Sequence, residues 1–175
     1  MILIINLNKY KLHDLEFIKP IADLLNKFKI IHYKNIKQKD IDSADKIIIA
    51  GTSLKNNDYL EDLNKFNWIK NYKKPILGIC SGMQILALIN GAKLKESLEI
   101  GQTQIKITKQ DPLIKDIYKI YSLHQFSTTL PKGFISLARS DKCIQAIKKD
   151  NHCGLLFHPE VFNKNLIKDF EKIHQ

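Results

Sequence analysis

Pro75-Ile-Leu-Gly-Ile-Cys-Ser-Gly-Met-Gln84 is the stretch on which the fold turns. Pro75 opens a short apolar run that reads as a strand buried on both faces. From Met83 the pattern Ile85, Leu86, Ala87, Leu88, Ile89 is that of a helix, closed by Gly91. A strand therefore runs into a helix with Cys80 at the junction. Gly78-Ile79-Cys80-Ser81-Gly82 has the form of a nucleophile elbow, in which the reactive residue sits on a sharp strand-to-helix turn. The turn holds that residue in strained backbone, so the positions two away on either side must be small. Its sulfur emerges at a helix N-terminus, where unpaired N–H groups and the helix dipole favour negative charge. The N–H of Ser81 points to where an oxyanion would form.

The rest of the chain extends this unit in both directions. Residues 1–7 are nearly all apolar and read as a buried strand. A helix follows from His13 to Phe28, with Leu15, Ile18, Ala22, Leu24 and Leu25 at helical spacing and Pro20 as an objection to an unbroken run. Ile30 to Tyr33 and Lys46 to Ala50 are further strands, the second ending at Gly51. A polar loop from Thr52 to Asp58 leads to a helix over Tyr59 to Lys70. After Lys93 the elements become short strands (104–108, 117–122, 134–138, 144–147 and 154–157), and an amphipathic helix over 163–173 closes the chain. This order predicts an α/β domain over 1–175: a three-layer, open, mostly parallel sheet flanked by helices, with short additional strands in the C-terminal half.

A cysteine nucleophile needs a base, and Gly154-Leu-Leu-Phe-His158-Pro-Glu160 supplies one. An apolar strand ending at His158 places an imidazole at the carboxyl edge of the sheet, where open parallel sheets build their sites. Pro159 stiffens the turn, and Glu160 can reach round to fix the imidazole tautomer. His13, His32, His152 and His174 lack such surroundings and read as structural or solvated.

The formal charge of +10 invites a nucleic-acid reading, but 28 basic residues include a single arginine, Arg139, and the lysines are dispersed. Nucleic-acid sites use arginine clusters and interleaved aromatics, so nucleic acid is not the expected partner. Cys80, Cys143 and Cys153 form neither a disulfide framework nor a metal pattern; Cys143 and Cys153 read as buried small hydrophobes. No apolar run approaches the roughly 18 residues of a membrane span, and MILIINL lacks the cationic lead of a signal segment, so the chain is expected in the cytoplasm.

GICSGMQ at 78–84 and FHPEV at 157–161, in this order and on these elements, together resemble the class I (triad) glutamine amidotransferases. The resemblance covers essentially the full chain. It implies that Cys80 attacks the side-chain amide of glutamine, assisted by His158 and Glu160, giving glutamate and ammonia. It implies an oxyanion hole from Gly51, Thr52 and Ser81, and substrate contacts from Gln84, Ser122 and Leu123. By residue type alone Gln84 equally fits a surface position, and His124 fits either a partner contact or a structural role. The loop that is usually Gly-Gly-Pro in the family is here Gly51-Thr52-Ser53; threonine resists positive φ, which would disturb the oxyanion hole. No P-loop is present, so the resemblance implies that the partner is a separate synthase subunit, with no metal or cofactor in this chain. Residues 130–147 and 154–161 are most similar to the amidotransferase subunits of two-chain, archaeal-type GMP synthases, whose partner is an ATP-pyrophosphatase subunit holding ATP and magnesium. Gly51-Thr52-Ser53 and Tyr121-Ser-Leu-His124 lean instead toward the glutaminase subunit of imidazole glycerol phosphate synthase. A stand-alone γ-glutamyl hydrolase and a non-catalytic regulatory domain are the remaining alternatives.

Overall fold

The computed structural model describes residues 1–173; His174 lies outside them. In chain order the elements are β1 (Ile2–Asn6), α1 (Asp14–Phe17), α2 (Lys19–Ala22), β2 (Phe28–His32), α3 (Gln38–Ser43), β3 (Lys46–Ile49), α4 (Asp58–Glu61), β4 (Ile76–Ile79) and α5 (Ser81–Ile89). The second half adds β5 (Leu94–Gln104), β6 (Lys106–Ile107), β7 (Lys119–Thr128), β8 (Ile135–Arg139), β9 (Ile144–Lys149), β10 (His152–Leu155), α6 (Pro159–Phe162) and α7 (Lys164–Lys172).

Eight strands form one sheet in the order β2-β1-β3-β4-β10-β9-β8-β6. The first five are mutually parallel, and β9, β8 and β6 continue the sheet antiparallel. Alternation along the buried strands sends successive side chains to opposite faces. Ile2, Ile4, Ile48 and Leu77 pack with Ile21 of α2 and Leu166, Ile167 and Phe170 of α7. Leu3, Ile5, Ile47, Ile49 and Ile76 face the other way, against Ile41 of α3, Phe66 and Ile69 of a 3-10 helix (Leu63–Asn71), and Ile85 and Leu86 of α5. Two apolar layers on one sheet make the expected three-layer α/β arrangement.

Several elements differ from the sequence reading. The helix expected over 13–28 is two short pieces parted at Ile18, and the chain is already strand by Phe28. Pro20 sits in the first turn of α2, where its missing N–H costs nothing; in a continuous helix its ring would crowd the preceding turn. The break turns Leu15 outward, to 61% exposure. The helix expected over 59–70 is one α-turn followed by 3-10 helix. α3 carries no apolar period to announce it; its start is held by Asp40, which accepts from Lys37 N–H at 3.1 Å and pairs with Lys29 at 2.8 Å. The largest departure is a long antiparallel pair, β5 with β7, standing as a separate two-stranded sheet; the strand expected at 104–108 is the short β6 of the main sheet, and the one at 117–122 is the start of the longer β7. Most of β5 is exposed or half-buried, so LKESLEIGQTQ shows no clear apolar alternation.

Candidate active site

The parallel pairing of β3, β4 and β10 brings three loops to one sheet edge. Ile49 pairs with Gly78 and Leu155 with Ile79. Cys80 N–H continues the ladder to Leu155 O at 2.7 Å, so the strand is held up to the residue where it turns. At Cys80 the backbone enters φ 50, ψ −106, a region costly for any residue with a Cβ, and α5 begins at the next position. The flanking glycines answer to close contacts. A Cβ on Gly78 would lie 2.6 Å from the backbone of Gly82, and one on Gly82 would lie 2.1 Å from Ile49 O. The elbow is closed over itself and seated against β3, in keeping with the small residues at 78 and 82.

β10 ends at Leu155, earlier than expected, and the chain reaches His158 in extended conformation before Pro159 starts α6. The His158 N–H donates to Tyr121 O at 2.9 Å, fixing this turn to β7. Pro159 and Glu160 form the first turn of α6, which swings the Glu160 carboxylate back to His158: Nδ1 to Oε1 is 2.8 Å, both side chains being at most 2% exposed. Nδ1 must be the donor here, because the carboxylate can only accept. That leaves Nε2 for chemistry, and it is buried with no hydrogen-bond partner. Phe17 of α1 packs on the imidazole, ring centroids 5.5 Å apart.

Gly51 separates base from nucleophile: a Cβ there would meet His158 Cε1 at 2.7 Å and Cys80 Cβ at 3.2 Å. Gly51→Ala should displace the ring and lower any turnover at this site by about 100-fold, as an ångström-scale misplacement does. Unchanged kcat in the variant would mean that the ring does not work from this position. Burial opposes charge on His158, but the neighbouring Cys80 sulfur and the Glu160 carboxylate outweigh it and hold the pKa well above 6.5. A raised pKa in the folded state gives stability that is complete below the unfolded value and is lost as pH rises through the raised one. Thermal stability should therefore decline through the alkaline range, and the decline should flatten in Glu160→Gln; parallel curves of Tm against pH for the two proteins would contradict this.

Thr52 is buried, and its Oγ1 accepts from Asn56 Nδ2 at 2.7 Å, an amide that also donates to Leu7 O. Neither Gly51 nor Thr52 has positive φ. The expected conflict between threonine and the backbone of this loop is therefore absent, because the loop does not use the left-handed region. Across from it, the Cys80 thiol points to Leu123 O at 3.5 Å, and Ser122, fully buried on β7, leaves its hydroxyl without a hydrogen bond. Gln84 is not a surface residue: its amide nitrogen donates to Phe126 O at 2.9 Å and its oxygen accepts from Tyr59 Oη. Burial pushes the Tyr59 pKa up, keeping the phenol a donor. His124 is buried as well, its ring turned to Ser97 O and Glu99, and burial lowers its pKa.

Thr52, Ser53, Tyr59, Cys80, Gln84 and Leu123 line a cavity of about 10 Å³, room for a single water. Gln125 Nε2 closes it from above by donating to Leu54 O at 2.8 Å. Phe17, Tyr59, Asn56 and Gln125 are the site residues that sequence reasoning missed. Each is an ordinary residue type in a loop or short helix, and only the fold brings it here. Of the other cysteines, Cys153 is an inert thiol on β10, pushed up to about 12 by burial. Cys143 is buried with Phe134, Ile144 and Leu156, as expected, but its sulfur also meets Glu99, Ser140 and Gln145.

A strained cysteine at a strand-to-helix turn, with a histidine–carboxylate pair in the turn after the adjacent parallel strand, defines a class of thiol-dependent acyl-transfer sites. The chain matches the glutamine amidotransferase class-I family over residues 15–170 and belongs to it. Among its relatives, a glutamine-hydrolysing GMP synthase subunit of Methanosphaera stadtmanae is 40% identical over 119 residues, covering 60% of this chain and 63% of that protein. The corresponding subunit of Methanocaldococcus jannaschii is 34% identical over 116 residues, covering 59% and 62%. The chain thus matches somewhat under two thirds of the length of these archaeal relatives. An imidazole glycerol phosphate synthase HisH subunit of Campylobacter jejuni is 31% identical over 163 residues, covering 75% and 82%. In structure, a protein described as a candidate GMP synthase subunit from Thermoplasma acidophilum superposes with a TM-score of 0.81 at 21% identity, covering 98% of this chain and 92% of the other, which shows the shared fold.

Proposed function

We propose that this chain hydrolyses glutamine and hands the ammonia to a separate synthase subunit. The observation that carries the reading is the Cys80 elbow beside His158, whose Nδ1 is occupied by Glu160. In this mechanism the Cys80 side chain turns from Leu123 O toward His158; the thiol proton resides on Nε2, and the raised His158 pKa keeps the thiolate–imidazolium pair ready for attack. The sulfur attacks the amide carbon of glutamine, and the oxyanion collects hydrogen bonds from backbone N–H groups of the Gly51–Thr52 loop and Ser81. Collapse to a thioester breaks the C–N bond as His158 returns its proton to the departing nitrogen, releasing ammonia. Water then enters; His158 accepts its proton and hydroxide displaces the sulfur, giving glutamate. Glu160 keeps the imidazole in one tautomer and compensates its charge throughout.

The small cavity supports gating by the partner. Glutamine cannot reach Cys80 until the loop after β3 and the 122–126 segment of β7 part, and the Gln125–Leu54 bond is the contact that spans them. The isolated chain is accordingly a weak glutaminase that its synthase partner activates.

For the ammonia acceptor we favour XMP, converted to GMP on an ATP-pyrophosphatase subunit. The similarity to two archaeal GMP synthase subunits supports this reading. The longer match to a HisH subunit supports the rival, an imidazole glycerol phosphate synthase. Reconstitution separates them. With an ATP-pyrophosphatase partner, ATP, magnesium and XMP, glutamine-dependent GMP should form; success only with a cyclase partner and its ribulosyl substrate would transfer the chain to histidine synthesis. Full glutaminase activity alone, unaffected by either partner, would oppose the gated reading and favour a self-sufficient hydrolase.

A further inference from the structure

Glu99, His124 and Cys143 lie on three separate segments, and their side chains meet at one buried point. Glu99 and His124 face each other across the β5–β7 hairpin, and Cys143 sits in the turn just before β9. All three are over nine-tenths buried, and one donor atom from each lies within 4.8 Å of the others.

The hydrogen bonding at this point calls for a cation. His124 Nδ1 is 2.9 Å from Ser97 O, an atom that can only accept, so Nδ1 carries a proton. Nε2 is then free to present a lone pair. It is buried with no hydrogen-bond partner and faces Glu99 Oε2, also an acceptor, at 3.2 Å. That same oxygen already receives Gln145 Nε2 at 2.6 Å, Ser140 Oγ at 3.1 Å and the Cys143 thiol at 3.2 Å. One carboxylate oxygen gathers three donors beside an imidazole nitrogen that faces it without a hydrogen bond unless the ring is protonated.

We propose that Glu99, His124 and Cys143 bind a zinc ion that ties the β5–β7 hairpin to the β8–β9 turn. One sulfur, one nitrogen and one oxygen suit zinc. Zinc bonds of about 2.0–2.3 Å in tetrahedral array put neighbouring donors about 3.3–3.6 Å apart; the sulfur–oxygen and nitrogen–oxygen separations here are each 3.2 Å, and the sulfur and nitrogen lie within 4.8 Å of each other, so small side-chain shifts complete the array. Donation of the distal ring N–H to a backbone carbonyl is what a metal-bound histidine usually does, and Gln145, 2.6 Å from Glu99 Oε2 and 3.3 Å from Cys143 Sγ, orients both remaining donors. On binding, the Cys143 S–H proton leaves to solvent as the sulfur–zinc bond forms, and nothing is oxidised. A groove lined by Leu98, Glu99, Ile100, Gln102, Ser140 and Lys142 reaches the cluster on its Glu99 side and offers the ion a way in. Sequence inspection expects no metal because the three ligands lie on three segments with no repeated spacing. The site is independent of the proposed glutamine chemistry, although it braces β7 one residue from Leu123.

The test uses the full chain, its metal content measured by mass spectrometry, and cobalt(II) as a spectroscopic substitute. One zinc per chain should survive gel filtration, and removal by a chelator should lower Tm. Cobalt should give a sulfur-to-metal charge-transfer band that persists in Cys80→Ala and Cys153→Ala and is lost in Cys143→Ser. Zinc affinity should fall more than about 100-fold in Cys143→Ser and in His124→Gln. A chain that retains no zinc and gives no cobalt band would overturn the proposal, leaving a Glu99–His124 ion pair. A band lost in Cys80→Ala would overturn it too, by placing the metal at the other thiol. The wild-type metal content and spectrum decide the matter even if a variant fails to fold.

Discussion

Cys80→Ala should abolish glutaminase activity, by more than about 10⁴-fold, and remove labelling by a glutamine-like electrophile, while Cys153→Ala labels and turns over as the parent does. The size of the effect follows from the geometry. Cys80 is the thiol at the end of the β4 ladder, at positive φ, beside His158, and residues acting as one nucleophile–base unit lose nearly everything when one is removed. Cys153 is equally buried but lies within β10 against the core, with its pKa pushed to about 12 and no base beside it. The backbone strain at φ 50 persists in Cys80→Ala, because alanine keeps the Cβ, so the loss of activity reports the sulfur and not a relaxed turn. Ammonia release unaltered in Cys80→Ala would remove the sulfur from the mechanism and the proposed function with it.

Gly82→Ala should produce the largest loss of stability of any single methyl addition near the site. Its Cβ would fall 2.1 Å from Ile49 O and 2.9 Å from Ile49 C, both backbone atoms in a strand paired to β4. No rotamer change relieves such a contact; α5 must lift from the sheet or β3 must shift. Overpacking that moves backbone costs about 3 kcal/mol or more, which for a domain of this size lowers Tm by about 6–12 °C. Gly91→Ala provides the comparison. Gly91 has φ +87 but nothing within 4 Å of a Cβ, so only the conformational penalty of about 1 kcal/mol applies. Equal melting temperatures for the two variants would show that α5 does not rest so closely on β3.

The legible parts of the molecule are those in which one local requirement dominates. Buried parallel strands such as β1, β3 and β4 must be apolar on both faces, and this writes unbroken runs into the sequence. The hairpin β5–β7 lies outside the main sheet with β5 mostly solvated, so few residues record it, and its pattern reads as shorter strands. Gln84 is ambiguous for a related reason. A glutamine on a new helix suits water or a buried partner, and only the approach of Tyr59 and Phe126 decides for burial. The conflict expected at Thr52 presumes a backbone region that the loop does not enter.

By itself the sequence determined the elbow and the base. Glycines at 78 and 82 around Cys80, and proline and glutamate after His158, are constraints between residues a few positions apart, so local order suffices to specify them. Only the tertiary structure decided what depends on contacts between distant segments: the single-water cavity under the Gln125–Leu54 bond, the ring of His158 against Gly51 and Phe17, and the convergence of Glu99, His124 and Cys143. Such contacts leave no spacing to read, because the chain between the partners is free to vary as long as the fold returns them to one place.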